Sequence, residues 1–121
     1  MKYIVLLALL SLTSVGIAQS VNNNVDGVQF FSQVIMADDI SSSELGDIQQ
    51  DLNQNPNVQM ARVDQMNKTI FVVTQPLDSF ERESFESWIG ANASLVNCYR
   101  QGVQGVDDFI PFDDNFCTNS E

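Results

Sequence analysis

From residue 27 onward the apolar positions switch between a two-residue and a 3.6-residue period, and the switches mark out six elements. Val28, Phe30, Phe31, Val34, Ile35 and Met36 form a β-branched and aromatic run of strand length, interrupted briefly by Ser32 and Gln33. Leu45, Ile48 and Leu52 then fall at helical spacing. The start of that helix is written twice, because Ser41 stands three residues before Glu44 as a capping box and Asp38 and Asp39 suit the positive end of a helix dipole. Residues 53–57, Asn-Gln-Asn-Pro-Asn, stop it, since a proline disfavours helical geometry in the residue before it. Residues 58–64 return to an extended pattern, with Val58, Val63 and one of Met60 or Ala61 facing inward. Residues 65–68 are polar enough for a turn, and residues 69–74, Thr-Ile-Phe-Val-Val-Thr, are the clearest strand in the chain, compatible with burial on part of both faces. Pro76 ends that strand. Asp78 with Glu81 makes a second cap signature ahead of Phe80, Phe85, Trp88 and Ile89, and Gly90 suits the left-handed position past a helix end. Residues 95–99 predict a last strand, and residues 101–105 open into a tail that carries neither period.

Strand, helix, strand, strand, helix, strand is the split β-α-β order of a ferredoxin-like sandwich. The predicted architecture is therefore α+β: a four-stranded antiparallel sheet with two helices on one face, followed by an irregular C-terminal tail. The expected partition is a ferredoxin-like domain over residues 27–104 and a tail over 105–121.

The first residues change the picture by adding a compartment. Lys2 precedes an unbroken apolar stretch over residues 4–10, and Gly16 and Ala18 fit the −3 and −1 positions of a secretory cleavage site. Residues 1–18 read as a signal peptide, with Gln19 the first mature residue and residues 19–26 a flexible lead-in. The apolar stretch falls short of the ~20 residues of a spanning helix, so no membrane span is expected after cleavage. A periplasmic or secreted protein follows, and the short signal favours a bacterial envelope. Asn67-Lys68-Thr69 and Asn92-Ala93-Ser94 match glycosylation acceptors, which matter only in a eukaryotic secretory route.

The chain holds sixteen acids against five basic residues, no histidine, and a formal net charge of −11. Such a surface repels phosphate backbones and anionic lipid, so no nucleic-acid partner is expected. The two cysteines, Cys98 and Cys117, read in an exported chain as one disulfide worth about 3 kcal/mol in the chain-entropy model, their separation being far from the two-residue gap of a redox or zinc motif.

In the tail, residues 107–116, Asp-Asp-Phe-Ile-Pro-Phe-Asp-Asp-Asn-Phe, repeat an acid pair beside phenylalanine. One reading is an acidic and aromatic peptide that docks on a partner or binds Ca²⁺, although the glycine turn and tight ligand spacing of a Ca²⁺ loop are missing. The preferred reading is structural: Ile110, Phe112 and Phe116 cover an exposed part of the domain and the Cys98–Cys117 bond holds the segment down.

Residues 36–89 resemble the heavy-metal-associated domain of copper chaperones and metal-transporting ATPases. Pro56, Asn57, Val58, Val63 and Asp64 fit that family's "proline-glycine-valine … valine … valine-aspartate" strand, with asparagine in place of glycine. The family binds its ion through Met-x-Cys-x-x-Cys. Aligning Met36 with that methionine puts Asp38 and Ser41 where the cysteines would stand. A carboxylate and a hydroxyl are hard donors, poorly matched to Cu(I), so the resemblance implies a domain lacking the metal-binding cysteine pair, with no cofactor. Asp38, Asp39 and Ser41 remain as candidate ligands for a harder cation. The thioethers of Met36, Met60 and Met66 read as core filling.

No histidine is present for general-base work, both cysteines are expected to be oxidised, no phosphate loop or serine elbow is visible, and helix capping accounts for the Asp38–Asp39 carboxylate pair, so the chain is expected not to be an enzyme. The leading expectation is a small exported, non-catalytic domain that binds a protein partner or serves a structural role in the cell envelope. Two others stand beside it: a cation-binding module built on Asp38 and Asp39, and a propeptide-like protease inhibitor, which shares the element order.

Overall fold

The computed structural model describes residues 27–118; the expected signal peptide over residues 1–18 and the whole of the expected lead-in over 19–26 lie outside them. Strand β1 spans Phe30–Met36, helix α1 Ser42–Gln54, β2 Val58–Asp64, β3 Thr69–Thr74, α2 Arg82–Ile89 and β4 Val96–Val103, with a 3-10 helix over Gly90–Leu95 between α2 and β4. The strands form one sheet in the order β2-β3-β1-β4, and each neighbouring pair is antiparallel. This is the ferredoxin-like arrangement, with β1 and β3 central and β2 and β4 at the edges.

Helix α1 begins where its cap pair places it. Ser41 Oγ accepts from Glu44 N at 3.0 Å and Glu44 Oε1 accepts from Ser41 N at 2.9 Å, so two of the orphan donors of the helix start are satisfied reciprocally. Leu45, Ile48 and Leu52 are buried against the sheet, and Asn55 Oδ1, accepting from Asn57 N at 2.8 Å, turns the chain into β2.

The second cap lies elsewhere than expected. Asp78 is exposed and outside the helix; Glu81 is the N-cap, and its N–H donates to Ser84 Oγ at 3.2 Å. Residues 77–80 instead serve the packing, because Leu77 pairs with Val28 in an isolated bridge and Phe80 enters the core. The 3-10 helix delays β4 to Val96, and β4 then runs to Val103, beyond the expected end at Tyr99. Its polar second half is strand because each polar side chain finds a partner. Gln101 Nε2, for example, donates to the Phe80 carbonyl at 2.8 Å.

Both helices cover the same sheet face. Val34, Met36, Ile70, Val72 and Tyr99 from the sheet meet Leu45, Ile48, Leu52, Phe85 and Ile89 from the helices in one buried cluster. In β2, Ala61 and Val63 point to this cluster and Met60 does not, after an irregularity between Val58 and Met60. The interruption at Ser32 is a buried polar contact: Ser32 Oγ and Tyr99 Oη share a hydrogen bond of 2.8 Å, and Tyr99 donates on to Gln101 Oε1 at 2.8 Å.

The opposite face presents Phe31, Gln33, Phe71, Val73, Cys98 and Arg100, and the tail folds back over it. The ring of Phe109 stands edge-on to Phe31 and Phe71, with centroids 4.7 and 5.0 Å apart. Gln33, only 3% exposed, pairs with the tail backbone as a strand would: its Nε2 donates to the Ile110 carbonyl at 2.7 Å and its Oε1 accepts from Ile110 N at 3.1 Å and from Arg100 Nη1 at 3.0 Å. Gly102 permits the close approach, since a Cβ there would lie 2.7 Å from the Phe31 ring and 2.8 Å from Asp107 Cβ. Phe116 is fully buried, and Cys117 is joined to Cys98 with a Cα–Cα distance of 5.3 Å.

Candidate functional site

The loop between β1 and α1 carries the candidate cation ligands. Asp38 and Asp39 lie exposed in a turn, Ser41 gives its oxygen to the helix cap, and Met36 is buried under the helices. Among the described residues no group of three or more His, Cys, Asp or Glu side chains converges in a way that could hold an ion. The structure brings a cation there instead. The Lys68 backbone carbonyl accepts from Met36 N at 2.9 Å, and the Lys68 ammonium donates to the Asp38 carbonyl oxygen. A fixed ammonium at this loop opposes a second positive charge. Both cysteines are in the disulfide and supply no thiolate.

A groove on the tail-covered face offers more. It has a volume of about 730 Å³ and is lined by Arg62, Val63, Asp64, Gln65, Thr69, Phe71 and Phe112. Phe71 is its floor, held by the rings of Phe31 and Phe109. Phe112 is the wall on the tail side, with its ring 5.0 Å from that of Phe116 and 38% of its surface exposed. Strand β2 is the other wall, and Arg62 is the cross-strand partner of Phe71, so both side chains stand on the groove face.

The charges in the groove are unequally committed. Asp64 is tied into the hairpin turn: its Oδ1 accepts from Asn67 N and Met66 N, each at 3.0 Å, and its Oδ2 accepts from Asn67 Nδ2 at 2.9 Å. These bonds, the one from the Asn67 backbone foremost, hold its carboxyl below the usual carboxylate range. The other described cations are engaged as well. Arg82 pairs with Glu86 at 2.8 Å, Arg100 donates to Gln33 and lies 5.7 Å over the Phe31 ring, and Lys68 holds the Asp38 carbonyl. Arg62 alone among them makes no hydrogen bond or ion pair with a described residue.

Sequence reasoning did not find this groove. The signal available for it was the two-sided apolar character of β3, where Phe71 and Val73 face away from the helices and so required a cover.

No family model matches the sequence, and no curated protein does either. Among solved structures the chain is similar to the apo form of the HMA domain of a copper chaperone for superoxide dismutase, at 10% identity over 84% of this chain and 93% of that one, with a TM-score of 0.46. The ferredoxin-like assignment stands on the strand order and helix placement given above. Among the described residues no helix is long and apolar enough to cross a membrane.

Proposed function

We propose that the chain is a small exported, non-catalytic domain of the cell envelope that binds a protein partner through the groove between β2 and the tail. The observation that carries this reading is Phe112: a large apolar side chain that packs on Phe116 on one side and is left part-exposed on the other, where it lines the groove with Phe71. Apolar side chains with a few fixed polar groups at the rim are the composition of a binding surface, and the one carboxylate in the lining, Asp64 opposite Thr69, is committed to the hairpin turn. The apolar N-terminal stretch and the disulfide are consistent with export.

The competing functions find less support. Lys68 at the β1–α1 loop argues against a cation site at Asp38, Asp39 and Ser41, and millimolar Ca²⁺, Cu²⁺ or Zn²⁺ is expected to give neither titration heat nor a thermal shift. A propeptide-like inhibitor needs a C-terminal segment that can extend into a protease cleft, whereas this tail is clamped to the sheet by Cys117, Gln33 and Phe109. Cross-linked pull-downs from the envelope fraction at physiological salt are expected to enrich one partner with the native chain and to lose it with Phe112→Ala. Recovery of the domain alone, or enrichment indifferent to Phe112, would count against the groove as a protein-binding surface.

A further inference from the structure

We infer that the groove takes the C-terminal end of a partner polypeptide, with the last side chain apolar and lying on Phe71 and Phe112 and the terminal carboxylate held by Arg62. This rests on the reading of the groove as a protein-binding surface and adds the chemistry of what it binds. In a chain of net charge −11, the one described cation without an internal partner lines this groove, together with the half-buried ring of Phe71 and the part-exposed ring of Phe112. A guanidinium presents paired donors that match a carboxylate.

One arginine beside an apolar floor suits a chain end better than an internal acid. Arg62 and Phe71 are directly opposed across the β2–β3 pair, so their Cβ atoms stand about 5 Å apart. A ligand that satisfies both carries an anion and an apolar group within the reach of one arginine side chain. A C-terminal residue does so, because its carboxylate and its Cβ share one Cα. An internal Asp or Glu carries its charge on its own side chain and places the apolar group on another residue. Charge narrows the ligand further. The field of the whole chain repels polyanions and disfavours a second copy of the same chain, and Asp64 in the groove wall opposes a ligand of more than one negative charge. Backbone or side-chain capture of a terminal carboxylate is a recurring mode of peptide recognition.

The test uses the full chain and a fluorescent hexapeptide ending in phenylalanine, made once with a free carboxylate and once as the C-terminal amide, read by anisotropy. The free acid is expected to bind about tenfold more tightly than the amide, the scale of one charge-assisted hydrogen-bonded pair. Arg62→Gln is expected to bring the acid down to the affinity of the amide and to leave the amide unchanged, while Phe112→Ala weakens both. Both side chains are exposed enough for the fold to survive, which urea melts verify. Equal binding of acid and amide, with both lost in Phe112→Ala, overturns the carboxylate inference and leaves the groove a protein-binding surface. Binding of neither peptide at millimolar concentration overturns the inference as well, and the Phe112-dependent pull-down then decides the broader reading by itself. Hydrocinnamic acid binding as tightly as the free-acid peptide overturns it in favour of a small carboxylic acid.

Discussion

The docked tail makes Phe116→Ala the sharpest test of the structure. Phe116 is fully buried although it lies two residues before the last described one, in a segment of turns with no helix or strand. Burying a phenylalanine ring removes about 150–250 Å² from water, which at ~25 cal/mol per Å² is worth roughly 4–6 kcal/mol as an upper bound. A segment at the edge of the fold relaxes around the missing ring more easily than a core does, so the expected loss is about 3 kcal/mol, the low end of large-to-small substitutions. A tail merely tethered at the surface would lose no more than about 0.5 kcal/mol. Urea unfolding followed by Trp88 fluorescence reads the domain, because Trp88 packs on Phe80 at the helix face, away from the tail. Limited proteolysis near Phe109 reads the tail itself. The double variant with Cys117→Ser should be sub-additive, since both changes release the same segment. A loss within 0.5 kcal/mol for Phe116→Ala, or strict additivity with Cys117→Ser, would refute the docked tail.

Cys117→Ser and Cys98→Ser are each expected to lower stability by about 3 kcal/mol under oxidising conditions and to give the same value as the double variant, measured by urea denaturation. Gln49→Ala should cost about 1–2 kcal/mol and promote self-association by size-exclusion chromatography, because Gln49 Nε2 donates to the Ala61 carbonyl at 3.2 Å and its Oε1 accepts from Val63 N at 3.1 Å, covering backbone groups on the outer edge of β2. Asp64 titrates below its ordinary value in the fold, so it binds a proton more readily when unfolded. Its contribution is present above the unfolded pKa and fades as pH falls through the folded one. Asp64→Asn should therefore narrow its stability gap to the native chain as pH drops from 6 toward 3; a gap that widened with acid would contradict the turn hydrogen bonds.

The parts of the fold legible in the sequence are those whose causes are local. The Ser41–Glu44 cap, the Asn55-Pro56 stop and the β-branched run of β3 each carry their own reason within a few residues, and together they impose the element order. Asp78-x-x-Glu81 imitates the same cap signal, but Phe80 between them is drawn into the core, and the helix begins after it. Arg100 and Gln101 hid the second half of β4, because their partners Gln33 and the Phe80 carbonyl are remote in sequence. The groove is tertiary in the same sense. The cysteine spacing and the tail phenylalanines pointed to a segment held against the domain, but nothing local brings Phe112 to lie across from Arg62.

Helices on one face of an antiparallel sheet leave the other to be wetted or covered, and here Phe31, Phe71 and Val73 demand a cover. The tail supplies it as an out-and-back loop. It leaves β4 at Val103, where Asp107 Oδ2 accepts from Val103 N at 2.7 Å, and reaches the central strands with Phe109 and Ile110. It returns through Phe116 to the bond with Cys98 on β4. Phe112 therefore lies near the far point of a loop with both ends fixed to one edge strand. A loop so anchored reaches Phe71 on β3 and stops short of β2 at the opposite edge, and the unfilled remainder is the groove. The disulfide thus does more than stabilise. By setting how far the tail extends it leaves Arg62 uncovered beside Phe71, while Lys68 is taken up by the Asp38 carbonyl at the β1–α1 loop. The groove proposed for binding is accordingly set by the reach of the tail rather than by the helix start.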